Sequence, residues 1–445
     1  MMFKNYIIFI LSICFSVSSF AASRAENEAV KLVNGGNYFS AIPFIKTALS
    51  RGKLSSKGER AFDTIVTHAG TGQFEILPIK ILSRSNSSTA KYLIAKKYLR
   101  VNKASKALKY STSINPNHPV YPFSMNLNSI AYSMLGKTKS SIESFRDCEI
   151  SSIRRLKKTK SKIKRKQLLM NRDYCVMGEA RALFSARKYD KANLRYLDIP
   201  KSSMVWPEVL FEEAWNSYYL KNYNRTLGKL VTYNAPVFDY IFNPEIDVLN
   251  SLTFLKMCLY NDAKKITNNF YSKYMQPARD LRLFLKRKGK NYKYFYRMMV
   301  NFESTGKANS KLLKTLLKSI TRETSYLEIK NALVKAAKEL KSRTAYKRSL
   351  GEVIKTQKSI LGSYVRSRLV GKYAELYKAF QGMSYIKLEV LAQRKAKLYN
   401  FKEGQSKRGD VKYIERNDKQ YFWDFNGEFW ADELGDYVFA LGSEC

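Results

Sequence analysis

The chain has 445 residues, of which 45% are hydrophobic, and this content suits a folded core and excludes a chain that is disordered throughout. Gly and Pro number only 20 and 10, which argues against a turn-rich β-sandwich or barrel and favours helices. Lys and Arg outnumber Asp and Glu by 79 to 37, and the resulting charge of +42 favours anionic partners such as nucleic acid, acidic lipid headgroups or surface polymers.

The N-terminus predicts export. Lys4 precedes an apolar run, and small residues end this run around Ala21. This order is typical of a secretory signal peptide, which we place at residues 1–21. Ile13 before Cys14 fits a lipoprotein box poorly, so we expect no lipid anchor. Because no later run is apolar and long enough to cross a bilayer, the sequence predicts an exported, periplasmic protein.

Residues 25–49 predict two helices joined by a short turn. Apolar residues recur there every three or four positions, and Gly35-Gly36-Asn37 interrupts them. The pattern Gly36-x-Tyr38-x-x-Ala41 resembles a tetratricopeptide repeat, whose two short helices meet through small side chains. Five further segments carry degenerate versions of the pattern: residues 102–108, 131–145, 180–196, 214–230 and 255–266.

These copies keep an approximate spacing. Thr138, Tyr189, Tyr223 and Tyr260 occupy matching positions, at separations of 51, 34 and 37 residues. A separation of 34 is the tetratricopeptide period, and the longer gaps hold insertions. The resemblance implies an all-α superhelix of stacked helix pairs over residues 22–280, a fold whose role is to bind proteins or peptides.

The largest insertion, residues 151–170, is strongly basic and contains no acid. It can form an anion-binding strip on a long helix, or it can be a solvated loop or helix extension, and a charge run favours the second interpretation. The candidate anion-binding residues are Arg154, Arg155, Lys157, Lys158, Lys164, Arg165 and Lys166.

Residues 281–403 predict long antiparallel helices of a coiled-coil-like kind. Leu312–Phe380 is poor in Gly and Pro and carries long apolar stripes at helical spacing. Before it, Leu281–Val300 interleaves cations with aromatic rings. Such a mixture can bind a polymer through charge and stacking, or it can be a helix with one wet and one buried face, and we favour the second interpretation.

The C-terminal tail, residues 404–445, differs from the rest in composition. From Tyr421 onward it has six acids, eight aromatic rings and no Lys or Arg. We expect the rings to bury against the scaffold while the carboxylates face its cations, so that the tail caps the exposed end of the array. Docking of a partner is a second interpretation. Catalytic carboxylates or a calcium site form a third, although no calcium-loop spacing is present.

Export permits disulfide bonds among the cysteines that follow the signal peptide. Cys258 lies beside the joint of the last clear repeat and Cys445 ends the sequence, so a bond between them would hold the tail on the array. Cys148 and Cys175 flank the basic insertion and can pair likewise. The chain has only two histidines, and we expect no metal site, cofactor or small-molecule substrate.

Later segments extend the resemblance over most of the chain beyond about residue 170. Together they are similar to exported bacterial tetratricopeptide proteins linked to adventurous gliding motility and cell-envelope assemblies. None of the shared segments is catalytic, so the resemblance implies an envelope scaffold. The segments are Leu210–Leu230, Asn234–Pro236, Cys258–Tyr260, Ile386–Val390 and Trp423–Glu433.

The sequence therefore predicts a non-catalytic periplasmic or envelope-associated scaffold that binds protein partners. The alternative is a binder of a membrane surface or an anionic polymer (cell-wall glycan, lipopolysaccharide-type material or nucleic acid), whose affinity would fall steeply with salt. A remote alternative is a wall-glycan-cleaving enzyme, with Glu428 as the only candidate general acid. Candidate partner-binding residues on the first helices of the pairs are Asn128, Tyr132, Asn216 and Tyr219.

Overall fold

The computed structural model describes residues 24–342, 346–399, 409–410, 412 and 414–445. Within these ranges residues 24–399 fold as helices and their connections, residues 414–445 form turns and irregular chain, and no β-sheet is present there. No helix in the described part of the chain has the length and hydropathy that crossing a bilayer requires. The predicted signal peptide, residues 1–21, and the start of the predicted tail, residues 404–408, lie outside the described residues.

The helices in the first part of the chain are mostly short and come in pairs. Helix α1 covers residues 24–34. Helices α2 to α10 are Tyr38–Arg51, Ser56–Ala69, Gly72–Glu75, Ile79–Leu82, Ser88–Arg100, Ala104–Ser111, Tyr121–Met134, Thr138–Lys158 and Lys162–Ser185.

The second part of the chain begins with further pairs and ends with longer helices. Two 3₁₀ turns, Thr232–Asn234 and Pro236–Phe238, connect α13 to α14. Helices α11 to α19 are Tyr189–Leu197, Trp206–Tyr219, Tyr223–Val231, Glu245–Lys256, Tyr260–Lys288, Tyr292–Thr305, Lys311–Arg322, Thr324–Ser342 and Lys347–Tyr399.

Six helix pairs share one turn. In each, a residue with positive φ ends the first helix, and the following residue donates its N–H to the carbonyl five positions earlier, at 2.8–3.0 Å. This is the Schellman geometry, which satisfies the last carbonyls of a helix and favours glycine at the left-handed position. The left-handed residues are Gly36, Asn102, Gly136, Arg187, Lys221 and Cys258.

These turns fall in the six segments that the sequence singled out. The second helix of each pair starts two residues after the left-handed position, at Tyr38, Ala104, Thr138, Tyr189, Tyr223 and Tyr260. The prediction of an all-α array of tetratricopeptide-like repeats is therefore confirmed. The copies with Asn, Arg, Lys or Cys in place of glycine tolerate a conformation that costs a non-glycine residue about 1 kcal/mol or more.

The chain divides into two compact units, and neither is continuous in sequence. The described residues of the first lie in Met1–Ala182 and Glu323–Tyr364, and those of the second in Leu183–Arg322 and Val365–Cys445. The described residues from 281 to 399 are mostly helical, as predicted, and α19 alone has 53 residues. These described late helices are divided between the two units, and their apolar stripes pack on the repeats of one unit or the other.

In the first unit, α18 and the start of α19 complete the core of the early repeats. Ala336 and Leu350 belong to the same buried cluster as Ile42 and Phe62. Gln73 donates from Nε2 to the carbonyl of Val353 at 3.1 Å, which ties α4 to α19. The sequence pattern predicted that these late helices have an apolar face, but it did not predict that the early repeats cover this face.

A carboxylate of α18 also caps the N-terminus of α2. Glu339 accepts hydrogen bonds from the backbone N–H groups of Phe39 and Ser40 at 3.1 and 2.7 Å, and from the Ser40 hydroxyl at 2.6 Å. The first N–H groups of a helix have no partner within it, and the helix dipole favours a negative charge there. Residues about 300 positions apart are thus joined through one helix end.

In the second unit, the later part of α19 and the tail pack on the last repeats. Ile386 and Val390 of α19 share a buried cluster with Phe254 of α14 and Leu441 of the tail. The same unit carries an aromatic cluster on α10–α13 and a tail that lies along α12–α14.

Candidate functional site

The two amides predicted to line a binding face are buried instead. Asn128 is 3% exposed and accepts a hydrogen bond from the Ser111 hydroxyl. Asn216 is 0% exposed, and its Nδ2 donates to the carbonyl of Tyr189 at 3.0 Å. Both amides lie where neighbouring helices meet, because a buried polar side chain needs a partner and the adjacent helix supplies one. A surface role for these two side chains is therefore not what the structure shows.

The two predicted tyrosines are more accessible. Tyr132 is partly buried, whereas Tyr219 is 48% exposed. Tyr219 stacks on Tyr189 with ring centroids 5.3 Å apart and an interplanar angle of 16°. It also meets Phe184 edge to face at 5.3 Å and Trp215 at 6.1 Å. Of the four predicted partner-binding residues, Tyr219 is the one that the structure places in an accessible group of rings.

We call this group the aromatic cluster: Phe184, Tyr189, Trp215, Tyr218, Tyr219 and Tyr223. Its members lie just before or just after the left-handed turn residues Arg187 and Lys221. The repeated turn therefore sets side by side the rings of two consecutive repeats. The sequence showed that Tyr189 and Tyr223 occupy matching positions, but not that they share a surface with Trp215 and Phe184.

Tyr218 gives the aromatic cluster a hydroxyl that can donate a hydrogen bond. Burial raises the pKa of Tyr218 to about 12, with further contributions from Tyr223 and Tyr219, so its phenol stays protonated at any physiological pH. One turn before Tyr219, the Oδ1 of Asn216 is buried and accepts no hydrogen bond from the residues that the structure describes. A buried acceptor left in this state costs about 1–3 kcal/mol.

The basic insertion is helical and belongs to the first unit. It consists of the end of α9 and the start of α10, so the interpretation as a helix extension describes it better than a loop. Arg155 donates to the carbonyl of Asn117 at 2.6 Å. Arg165 donates to the carbonyls of Leu156 and Thr159 at 2.9 and 3.3 Å, at the C-terminal end of α9.

Two of the seven predicted anion-binding residues thus hold the local fold. A cation at a helix C-terminus favours the last carbonyls and the dipole, which explains the position of Arg165. The others form an exposed group on the two helices: Arg154, Lys157, Lys158, Lys164 and Lys166. We call these five residues the basic strip.

The structure brings both pairs of cysteines together as disulfides. Cys258 and Cys445 are bonded with their Cα atoms 5.1 Å apart, and Cys148 and Cys175 with theirs 6.0 Å apart. The Cys148–Cys175 bond links α9 to α10 at the base of the basic insertion. The Cys258–Cys445 bond attaches the tail to the last repeat at a left-handed turn residue, since Cys258 has a φ of 59°.

The tail meets the array differently from the expectation. Its expected charge contact occurs between Asp436 and Lys201, whose charged atoms are 2.7 Å apart. Only some of the rings cover the scaffold as expected: Phe429, Tyr437 and Phe439 are partly buried against it, whereas Tyr421, Phe425 and Trp430 are exposed and Trp423 is 86% exposed. The most buried side chains of the tail are its two leucines, Leu434 and Leu441.

The tail leucines and the Asn224 side chain were not foreseen. Asn224 Oδ1 accepts from the N–H of Leu441 at 3.1 Å, and its Nδ2 donates to the Leu441 carbonyl at 3.1 Å. No local pattern marks Asn224, because an asparagine on a short amphipathic helix looks like any solvated position. We call the surface of α12–α14 that holds residues 434–445 the tail seat.

Glu428, the candidate general acid, is exposed on the tail, and its N–H donates to the Asn426 side chain at 3.3 Å. The general acid of a glycan-cleaving enzyme lies in a buried cleft beside the scissile bond, and Glu428 lacks such a setting. Nor do the described residues place three or more His, Cys, Asp or Glu side chains where they could hold a metal ion.

Comparison with known proteins adds little to this geometry. No family model and no curated protein match the chain. Among solved structures, the apo form of RapI aligns with a TM-score of 0.33 and 12% identity, over 64% of this chain and 99% of its own. The Rap conjugation gene regulator of plasmid pLS20, in complex with the Phr* peptide, aligns with a TM-score of 0.32 and 9% identity, over 78% and 95%. At these TM-scores the likenesses carry no argument about function.

Proposed function

We propose that this protein is a non-catalytic scaffold that binds protein partners through its helical repeats. The aromatic cluster carries this proposal. Trp and Tyr dominate the energetics of protein interfaces, because they bury a large apolar area and keep a polar atom for a hydrogen bond. Five such rings together with Phe184, on two consecutive repeats and with Tyr219 half exposed, provide an anchor site for an apolar side chain of a partner.

The tyrosine hydroxyls of the cluster support the same proposal, because they can form hydrogen bonds with the main chain of a partner. The partner class that combines apolar side chains with regularly placed main-chain polar groups is a peptide or a protein segment.

We place the protein in the periplasm or elsewhere in the cell envelope. The signal-like residues 1–21 support export, and the two disulfides suit an oxidising compartment. The resemblance to envelope tetratricopeptide proteins supports an assembly role there, with adventurous gliding motility as the process that it suggests. Fractionation of the native host, with mass spectrometry of the mature N-terminus, tests this placement. Export predicts a chain that begins near Ala22, and an intact Met1 in the cytoplasmic fraction would contradict it.

The partner-binding proposal is tested with peptides displayed on phage and selected against the full chain. We expect the selected peptides to bind at least tenfold more weakly to Tyr219→Ala and to Trp215→Ala. Tyr385→Ala is the matched control, because Tyr385 is 69% exposed on α19 and belongs to no aromatic cluster described above. Equal binding to all three variants would show that the aromatic cluster is not the partner site.

A second candidate function, binding of an anionic polymer, is favoured by the basic strip. Five exposed cations lie on two adjacent helices, and residues 151–170 contain no acid. Binding of a sulfated polysaccharide should weaken at least tenfold between about 50 and 200 mM salt, because released counterions drive such binding. The pair Lys157→Glu and Lys158→Glu should abolish it, whereas Lys378→Glu on α19 should not. Loss of binding with every one of these changes would point to net charge rather than to the basic strip.

A further inference from the structure

The backbone of the tail forms several hydrogen bonds with its seat. Besides the two hydrogen bonds between Asn224 and Leu441, the N–H of Phe439 donates to the Asn224 carbonyl at 3.2 Å. The N–H of Glu444 donates to the carbonyl of Met257 at 2.9 Å. Contacts of this kind recognise an extended main chain and not a particular sequence, as in other modes of peptide recognition.

Two side chains of the tail anchor it. Leu434 packs with Trp206, Leu210, Ala235 and Phe238. Leu441 fills a second pocket, formed by residues of α13, α14, α15 and α19, which include Leu227, Phe254, Met257 and Ile386. Two separate leucine pockets, with main-chain hydrogen bonds near the second, give the tail seat the layout of a peptide groove.

A glycine on α13 allows the main chain of the tail to approach this helix closely. Gly228 lies within α13, where glycine destabilises a helix relative to alanine. A Cβ atom at this position would overlap with the carbonyl group of Tyr437. The close passage of an extended chain across α13 is the physical reason for a glycine there.

Two cations of the tail seat, Lys201 and Arg225, indicate that it favours a peptide with negative charge. Lys201 pairs with Asp436 at 2.7 Å and also donates to the carbonyl of Asp432. Arg225 donates to the carbonyl of Glu415 at 3.1 Å and to Gln420 at 3.3 Å. Lys201 thus meets the part of the tail that has acids and no Lys or Arg, from Tyr421 onward, whereas Arg225 holds the stretch just before it.

We infer that the tail seat is a binding groove for an acidic peptide segment of a partner protein, in which a turn with a leucine anchor like Leu434 is followed by an extended stretch with an anchor like Leu441. The chain's own tail occupies it as an intramolecular ligand, held by the Cys258–Cys445 bond. The inference rests on the proposed scaffold function and adds a second site to it. A dithiol reductant opens the groove: its two thiols become a disulfide, and Cys258 and Cys445 each become a thiol.

The tail itself supports a ligand rather than a structural cap. A cap would bury all of its rings, yet Tyr421, Trp423, Phe425 and Trp430 remain exposed. The tail is held by two leucines, three partly buried rings, one ion pair, a few hydrogen bonds and one reducible bond. These are contacts that a partner segment of the same chemistry could replace.

The test uses the full chain with its tail released by Leu434→Asp, Leu441→Asp and Cys445→Ser. The probe is a fluorescent synthetic peptide of residues 428–445 with Ser in place of Cys445. We expect it to bind the released-tail variant and to show no binding to the oxidised wild type. Adding Asn224→Ala should weaken binding at least tenfold. Tyr219→Ala in the released-tail background should leave binding unchanged, which separates this site from the aromatic cluster.

A released-tail variant that has the wild-type helical circular dichroism but does not bind the peptide overturns the inference, as does equal binding after Asn224→Ala. A second measurement covers a variant that does not fold. Hydrogen exchange of residues 434–445 should become at least tenfold faster in Cys445→Ser than in the wild type, while α14 keeps its protection. Unchanged exchange in the tail would make it a permanent part of the fold.

Discussion

Gly228 lies directly beneath the carbonyl of Tyr437, at a distance that leaves no room for a Cβ atom. We therefore predict that Gly228→Ala releases the tail although alanine favours the helix by about 1 kcal/mol. Limited proteolysis should cut the variant between residues 421 and 440 at least tenfold faster than the wild type. Gly351→Ala is the matched control, because Gly351 also lies in a helix but has open space around it. That change should stabilise the protein slightly and leave the tail protected.

A second prediction concerns the acid stability of the first unit. Burial raises the pKa of Glu75, but Lys96 and Arg100, at 2.7 and 2.5 Å, lower it to about 2. The folded pKa is below the ordinary value of 4.5, so the contribution is present above pH 4.5 and is lost as the pH falls toward 2.

We expect Glu75→Gln to lower the free energy of unfolding by about 2 kcal/mol at pH 7 and to have little effect near pH 2. Urea unfolding at several pH values measures this difference. Glu352→Gln serves as the control, because Glu352 is exposed and its Lys355 partner is 4.0 Å away. A loss for Glu75→Gln that does not vary with pH would mean that packing, and not the charge, explains the effect.

A third prediction concerns the carboxylate of α18 that caps α2. Glu339→Ala removes three hydrogen bonds at the helix N-terminus, and Ser40→Ala removes one. We expect destabilisation of about 1–2 kcal/mol for the first change and less for the second. Thermal unfolding measures both. Since the same carboxylate serves both residues, the double variant should lose less than the sum of the two single losses, and strict additivity would argue against a shared contact.

A fourth prediction uses the repeated turn. Gly136 and Lys221 occupy the same left-handed position, with φ of 70° and 63°. Gly136→Ala should destabilise the protein by about 1 kcal/mol, whereas Lys221→Gly should stabilise it by about 0.5 kcal/mol. The opposite signs follow from one backbone conformation. Chemical denaturation of the two variants measures them, and shifts of the same sign would contradict a shared turn.

The sequence was sufficient to predict those parts of the fold that depend on residues only a few positions apart. A Schellman turn needs a residue that tolerates positive φ, and Gly36 and Gly136 mark it, with a Tyr or small residue two positions later. The helical period then gives the apolar face of each helix. These local rules are sufficient to predict the array of paired helices and the long helices after residue 281.

The candidate sites were less accessible, because exposure depends on neighbours that are distant in sequence. Asn128 and Asn216 look like polar groove residues, yet each is buried against an adjacent helix. Arg155 and Arg165 look like members of an anion-binding strip, yet both donate to backbone carbonyls. Composition gives the charge of a segment but not the acceptor that each cation finds.

By itself, the sequence determined the helical repeats, the basic insertion, the acidic aromatic character of the tail and the signal-like N-terminus. Tertiary structure alone decided that α18 and α19 complete the cores of the repeats, that the tail is held by Leu434, Leu441 and Asn224, and that the rings near Tyr219 form one surface. The reason is physical. Turns and helix faces depend on residues within a few positions of each other, whereas burial and pairing depend on whichever distant segment supplies the matching surface.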